Sequence, residues 1–168
     1  MVLIPSALPP HKLRAGDLAP AEDRLEMCRL AVAGDPMFEV SDVELVREGP
    51  SYTIDTVRGF RTQGWKHVAW LIGADVIPLL PDWHQPDDLL REVEWVVMER
   101  SGCRIDWGRL PERYRRLEAN LVEAPLIDVS ASAIRRRIAE GRSPRYLTPD
   151  AVCDYIAAHG LYRGNPAG

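Results

Sequence analysis

Short apolar runs alternate along this chain with segments of helical spacing. Residues 67–72 predict a strand that is buried on both faces, and residues 94–100 predict a second buried strand. Earlier strands are predicted at the chain start and over residues 38–46, where the apolar alternation changes parity. Helical spacing marks the segments between and after them, which are 20–33, 51–64, 87–92, 111–119, 131–138 and 149–159. Strands that alternate with helices predict an α/β fold, a parallel sheet with helices on both faces and a helical portion at the C-terminal end.

The richest candidate chemistry follows the strand that ends near residue 72. Gly73 comes directly after this strand, Asp75 lies two residues further, and Trp83 follows a short apolar segment. Ligands bind beyond the carboxyl ends of strands in an open α/β sheet. Gly73 would let a ligand approach the backbone, Asp75 could accept hydrogen bonds from ribose hydroxyls, and Trp83 offers a flat face to an aromatic ring. The alternative is purely architectural, with a glycine-terminated strand and a core tryptophan.

Two helix starts are candidate anion sites. Ser51 or Thr53 can cap the helix that begins near residue 51, and its first backbone N–H groups could hold a carboxylate or a phosphate. Ser130 and Ser132 open a later helix in which Arg135 lies one turn from the start, so hydroxyls, N–H groups and a guanidinium could meet an anion there. The alternative for the second segment is an ordinary serine cap followed by a solvated basic face.

A proline-rich loop near the chain start is a third candidate phosphate site. Two consecutive prolines would hold this loop extended and present His11 and Lys12 at the carboxyl end of the first strand. The alternative is a rigid, solvated turn that carries an incidental basic pair.

Length and composition narrow the class of protein. The 168 residues suit a single domain over 1–168, and 46% hydrophobic with 27% charged residues is an ordinary globular composition. The formal net charge of −4 argues against a general nucleic-acid or membrane-surface binder. Three isolated cysteines give neither a disulfide framework nor a metal-ligand spacing. With no signal peptide and no apolar run long enough to span a membrane, we expect a cytoplasmic protein.

Taken in order, these segments resemble bacterial nicotinate-mononucleotide adenylyltransferases, of the nucleotidyltransferase α/β-phosphodiesterase superfamily. The resemblance implies a Rossmann-like parallel sheet. The matching segments cover nearly the whole chain; they are Ile4-Pro5 with Pro9-Pro10-His11-Lys12, residues 24–31, Pro50-Ser51-Tyr52-Thr53, Ile72-Gly73-Ala74-Asp75 with Leu80-Pro81-Asp82-Trp83, residues 96–100, Val129-Ser130-Ala131-Ser132-Ala133-Ile134-Arg135, and Tyr146-Leu147-Thr148-Pro149 through Tyr162.

This resemblance implies transfer of the adenylyl group of ATP to nicotinate mononucleotide, which gives deamido-NAD and pyrophosphate. Mg²⁺ would accompany ATP without ligands from the protein, and a homo-oligomer is compatible with the family. The mononucleotide phosphate would attack the α-phosphorus directly, so the protein would position the substrates and stabilise charge. The implied residue roles are ring stacking by Trp83, a carboxylate site at Tyr52 and Thr53, phosphate contacts by His11 and Lys12, a nucleotide lining of Gly73 and Asp75, and a triphosphate site of Ser130, Ser132 and Arg135.

One departure from the family leaves the catalytic residues unassigned. The family's Gly-x-Phe-x-Pro-x-His-x-Gly-His loop is not in this sequence, and a β-loop-α unit of roughly 30 residues is unmatched. We expect that the natural protein extends upstream of Met1, because loss of a central strand would leave its neighbours with unpaired edges. The alternatives are a non-catalytic nucleotide-binding remnant and a sister adenylyltransferase with another phosphorylated acceptor.

Overall fold

The computed structural model describes residues 1–7, 18–100, 102–125 and 127–164. Its strands are β1 Val2–Leu3, β2 Glu39–Val40, β3 Ala69–Gly73, β4 Glu94–Met98 and β5 Leu121–Val122. Its α-helices are α1 Ala21–Ala31, α2 Thr53–Thr62, α3 Pro86–Glu92, α4 Glu112–Arg115, α5 Ala131–Ala139 and α6 Asp150–Ala158. Three further segments are 3₁₀ helices, Ala74–Asp82, Trp107–Arg109 and Arg116–Asn120. Every strand pairing among the described residues is parallel, which confirms the predicted α/β class.

The chain forms two compact units. The first comprises Met1–Ser51 and Val129–Gly168, and the second comprises Tyr52–Asp128.

The first unit pairs two short strands and packs α1 against α6. β1 and β2 are parallel, with Val2 opposite Glu39. Leu25 of α1 and Ile156 of α6 are buried, and between the same two helices the Tyr155 hydroxyl donates a 2.8 Å hydrogen bond to Asp23 Oδ1. This polar contact joins helices that are 132 residues apart in sequence.

The second unit contains a three-stranded sheet in the order β3-β4-β5. β3 and β4 pair over five residues, and Val97 on β4 is fully buried. The amphipathic helix α2 buries Ile54, Val57 and Phe60, which recur at helical spacing. α3 contacts α2, and the pair is joined by the Arg58 guanidinium, which bonds to the Glu92 carboxylate at 2.7 Å. Because β3 and β4 are parallel, their carboxyl ends lie together at the same end of the sheet.

Two strand predictions differ from the structure. The predicted strand over 38–46 is wrong beyond Val40, because a turn starts after residue 42, at the change of parity. The strand β3 is present, but its predicted burial on both faces is wrong. β3 lies at the edge of its sheet, and Leu71 is 42% exposed whereas Ile72 is 7% exposed. An apolar run therefore identified the strand but not its position at an edge.

Among the described residues, no helix has both the length and the apolar character needed to cross a membrane.

Candidate functional site

The helix α2 begins at Thr53, and the side chain at its capping position, Tyr52, makes no capping hydrogen bond. Thr53 is the first helical residue and is half-buried, and Tyr52 occupies the capping position in an extended conformation. The predicted cap by Ser51 is wrong, because its Oγ accepts a 3.0 Å hydrogen bond from the Ala7 backbone N–H instead. Thr53 is inside the helix rather than at its cap, so its hydroxyl does not close the first turn either. The N-terminus of such a helix carries a partial positive charge, which favours an anion.

The segment that holds Trp83 is joined to this helix start. Trp83 ends the 3₁₀ helix that follows β3, and its side chain is half-buried. The next residue, His84, stacks its ring on Tyr52 with centroids 4.1 Å apart and an interplanar angle of 24°. Tyr52 therefore supports the Trp83 segment through its ring, a role that the sequence analysis did not assign to it.

Gly73 is the last residue of β3 rather than the residue after it, and Asp75 lies directly beyond the strand, in the 3₁₀ helix Ala74–Asp82. Asp75 forms an ion pair with Arg100, in which Nη1 lies 2.9 Å from Oδ2. Both side chains are nearly half exposed, at 41% and 48%. Gly73 has an extended backbone, but a Cβ at this position would lie within 3.0 Å of Asp75 Oδ1. The glycine thus leaves room for the Asp75 carboxylate, which is a different reason from the predicted close approach of a ligand.

A cavity of about 990 Å³ opens beside this pair. It lies beyond the carboxyl ends of β3 and β4, where an open α/β sheet binds ligands. Its lining combines arginines with apolar and aromatic side chains and consists of Ala74, Glu99, Arg100, Gly102, Cys103, Arg104, Ile105, Trp107 and Leu121. The mixture of guanidinium groups and an indole suits a ligand that is partly anionic and partly aromatic.

The predicted phosphate segment lies in the first unit, at the start of α5. Ser130 caps this helix, since its Oγ accepts a 3.2 Å hydrogen bond from the Ala133 N–H, which is the contact expected of the alternative, an ordinary serine cap. Arg135 Nη2 donates to Ser132 Oγ at 3.1 Å, so the structure brings this serine and this arginine together. A hydroxyl, a guanidinium and a positive helix terminus meet here on half-buried to exposed side chains.

His11 and Lys12 lie outside the described residues.

Two of the three cysteines have thiols that resist deprotonation. All three are free thiols, and burial raises the pKa of both Cys28 and Cys153. A protonated thiol is a poor nucleophile, so these two cysteines are structural. Over the described part of the chain, no group of three or more His, Cys, Asp or Glu side chains is placed to hold a metal ion.

Sequence reasoning missed two functional candidates, Arg100 and His84. Arg100 follows β4 and reaches Asp75 across 25 residues, and His84 stacks on a tyrosine 32 positions earlier. The sequence held a weak signal for Arg100. This cation follows a predicted strand, and the carboxyl ends of neighbouring parallel strands lie together at one end of the sheet. Nothing in the sequence distinguished the stack of His84 from an exposed histidine.

Comparison with known proteins assigns the class first. The family model described as cytidylyltransferase-like matches residues 1–137, which is most of the chain, so this is a nucleotidyltransferase domain.

Individual relatives of known name define the family within this class. A protein named "probable nicotinate-nucleotide adenylyltransferase" from Roseiflexus sp. (strain RS-1) is 42% identical over 165 residues, which are 97% of this chain and 82% of the relative. A protein of the same name from Geobacillus kaustophilus (strain HTA426) is also 42% identical, over 95% of this chain and 70% of the relative. The chain belongs to the nicotinate-nucleotide adenylyltransferase family.

A solved structure supports the fold independently. The nicotinic acid mononucleotide adenylyltransferase of Plasmodium falciparum, complexed with NaAD, matches with a TM-score of 0.76 over 99% of this chain and 83% of that chain. The two sequences are 16% identical, so this likeness concerns the Rossmann-like α/β fold.

Proposed function

We propose that the protein transfers the adenylyl group of ATP to nicotinate mononucleotide, releasing pyrophosphate and forming deamido-NAD. Membership of the family supports this reaction, because the curated relatives at about 40% identity all carry that activity in their names. In this reaction the mononucleotide phosphate displaces pyrophosphate directly from the α-phosphorus of ATP. The protein therefore positions the two substrates and stabilises the charge that develops on the phosphates. Mg²⁺ would be brought by the triphosphate of ATP, where it neutralises charge on the phosphate oxygens.

The acceptor would be held by the start of α2 and the Trp83 segment. The observation that carries this proposal is the stack of Tyr52 on His84, because it fixes the helix start beside the segment that holds Trp83. A pyridine carboxylate needs both features, an anion site for the carboxylate and a flat surface for the ring. The N–H groups at Thr53 would receive the carboxylate, the Trp83 ring would stack on the pyridine, and His11 and Lys12 would contact phosphate.

Two sets of residues are proposed to contact nucleotide, one set in each unit. The Asp75 carboxylate would accept hydrogen bonds from ribose hydroxyls beyond β3, next to Gly73. Ser130, Ser132 and Arg135 would contact the triphosphate, since their hydroxyls and guanidinium stand at a positive helix end.

Pyrophosphate release tests the reaction and the choice of acceptor together. With ATP and Mg²⁺, we expect rapid release with nicotinate mononucleotide and at least tenfold slower release with nicotinamide mononucleotide, since a site built for a carboxylate loses a charge-assisted hydrogen bond to the neutral amide. Equal rates on the two acceptors would contradict the carboxylate site. Faster release with pantetheine phosphate would support a sister adenylyltransferase. Binding of both substrates without any release of pyrophosphate would support a nucleotide-binding protein that does not catalyse.

A further inference from the structure

We propose that Arg58 is a positioning residue that fixes the Trp83 ring relative to the start of α2. The proposal rests on the acceptor site proposed above. Arg58 lies on α2, on the helix whose N-terminus would hold the carboxylate, and it acts through Gln85, two residues beyond Trp83.

Arg58 uses its guanidinium as a fork with three partners. Nε and Nη2 bond to the Glu92 carboxylate at 3.1 and 2.7 Å, and Nη2 also lies 3.0 Å from Asp88 Oδ2. Nη1 donates to Gln85 Oε1 at 2.8 Å. The two carboxylates orient the guanidinium, so that the remaining N–H group is aimed at Gln85. A lysine ammonium could pair with a carboxylate but could not reproduce this planar fork.

Gln85 is held in a backbone conformation that its side chain does not favour. Its φ of 50° and ψ of 56° place it in the left-handed region, which is uncommon for residues other than glycine. The Gln85 side chain makes two contacts. Its Oε1 accepts a hydrogen bond from Arg58, and its Nε2 lies 3.2 Å from His84 Nε2. A glycine would suit the backbone better but would lose both contacts. The position therefore depends on what the amide side chain holds.

The two residues after Trp83 are thus attached to α2 at two places. His84 contacts Tyr52 at the start of the helix, and Gln85 contacts Arg58 further along it. Two attachments prevent the rotation that a single contact would allow. A ring stack depends on the orientation and offset of the two rings, so this two-point attachment would set the geometry of the Trp83 stack against the carboxylate site.

Exposure of the cluster argues that its main effect is on position rather than on stability. The Arg58 side chain is 42% exposed, and its partners Asp88 and Glu92 are 32% and 27% exposed. Ion pairs with this much solvent contact contribute little to folding free energy. The removal of Arg58 should therefore leave a folded protein with a displaced Trp83 segment.

The test compares Arg58→Gln and Arg58→Lys with a matched control, Arg91→Gln. Arg91 lies on α3 and pairs with the same Asp88, and over the described part of the chain no hydrogen bond is found between it and Gln85. Isothermal titration with nicotinate mononucleotide and, separately, with ATP gives the two dissociation constants. For both Arg58 variants we expect the Kd of the mononucleotide to rise about two- to tenfold, the range of an aromatic stack, with the Kd of ATP changed less than twofold. Arg91→Gln should change neither.

A double-mutant comparison separates this proposal from the proposed acceptor site. If Arg58 acts through Trp83, Arg58→Gln should have no further effect in a Trp83→Ala background. Full additivity of the two losses would overturn the positioning role, as would full rescue by Arg58→Lys or an unchanged Kd in Arg58→Gln when Trp83→Ala weakens binding. If wild-type protein does not bind nicotinate mononucleotide, or Trp83→Ala binds it normally, the acceptor site itself is wrong and the proposal falls with it.

Discussion

Substitution of Gly73 by alanine should weaken nucleotide binding without destabilising the fold. The backbone at Gly73, with φ of −76° and ψ of 149°, is extended and open to any residue. The obstacle is the Asp75 carboxylate, because the new Cβ would lie within 3.0 Å of Oδ1. That atom is the end of a side chain and can turn away, so the alanine would displace the carboxylate rather than the backbone.

The substitution should change the free energy of folding much less than the free energy of ATP binding. Displacement of Asp75 breaks its ion pair with Arg100, but the pair is 41% and 48% exposed and contributes at most about 1 kcal/mol to folding. Alanine also lowers the conformational entropy of the unfolded chain, which stabilises the folded protein by about 0.4–1 kcal/mol. The net change in stability should therefore be close to zero. A lost hydrogen bond between a carboxylate and a ribose hydroxyl costs about 1.5–3 kcal/mol, which corresponds to a 10- to 100-fold rise in Kd.

Titration calorimetry with ATP, together with thermal melts, checks this prediction. Gly59→Ala is the matched control, since a Cβ there meets nothing within 4 Å and the site is in the middle of α2. We expect Gly73→Ala to melt within a few degrees of wild type, to bind ATP 10- to 100-fold more weakly, and to have no further effect when Asp75 is already alanine. Normal ATP binding by Gly73→Ala would refute the role of the Asp75 carboxylate. A large loss of Tm would refute the argument that only a side chain moves.

Four other substitutions test the remaining roles. Trp83→Ala should raise the KM for nicotinate mononucleotide about two- to tenfold and leave that for ATP unchanged, as steady-state kinetics would show. Arg135→Ala should raise the KM for ATP about tenfold through loss of a charge-assisted phosphate contact, and an effect confined to the mononucleotide would contradict this placement. Ser130→Ala should lower the free energy of unfolding by about 1 kcal/mol in urea titration, because it removes the cap of α5. The hydrogen bond to Asp23, together with burial, raises the pKa of Tyr155 above its usual 10.0, so this stabilisation is complete below pH 10.0 and is lost as the pH rises further. Melts of wild type and Tyr155→Phe at pH 8–11 should therefore converge at the alkaline end.

Local patterns predicted the helices and the short-range contacts at the start of α5. The buried face of α2 and the serine cap of α5 involve residues within one or two helical turns of each other. Such features can be predicted from the local sequence alone. Arg135 and Ser132, three residues apart, also meet as their spacing requires. A parallel sheet followed from the order of elements alone.

Contacts between distant segments were not predictable in the same way. Ser51 has the side chain of a helix cap, yet it bonds to Ala7, which is 44 residues earlier. Leu71 belongs to an apolar run that looks buried, but its exposure depends on β3 being an edge strand. The ion pair of Asp75 with Arg100 and the stack of His84 likewise require the fold before they exist. The sequence indicated which residues carry chemistry, whereas the tertiary structure decided their partners.

Both α2 and α5 follow a serine, Ser51 and Ser130, but the two serines have different partners. At α5 the Ser130 hydroxyl caps the helix, so an anion there would be met chiefly by Arg135 and the remaining groups of the first turn. At α2 the Ser51 hydroxyl accepts a hydrogen bond from Ala7, and the capping position belongs to Tyr52, whose side chain makes no capping hydrogen bond. A helix terminus can meet a small single charge such as a carboxylate, whereas a triphosphate also needs a cation such as Arg135. We therefore expect the start of α2 to receive the pyridine carboxylate and the start of α5 to receive the triphosphate.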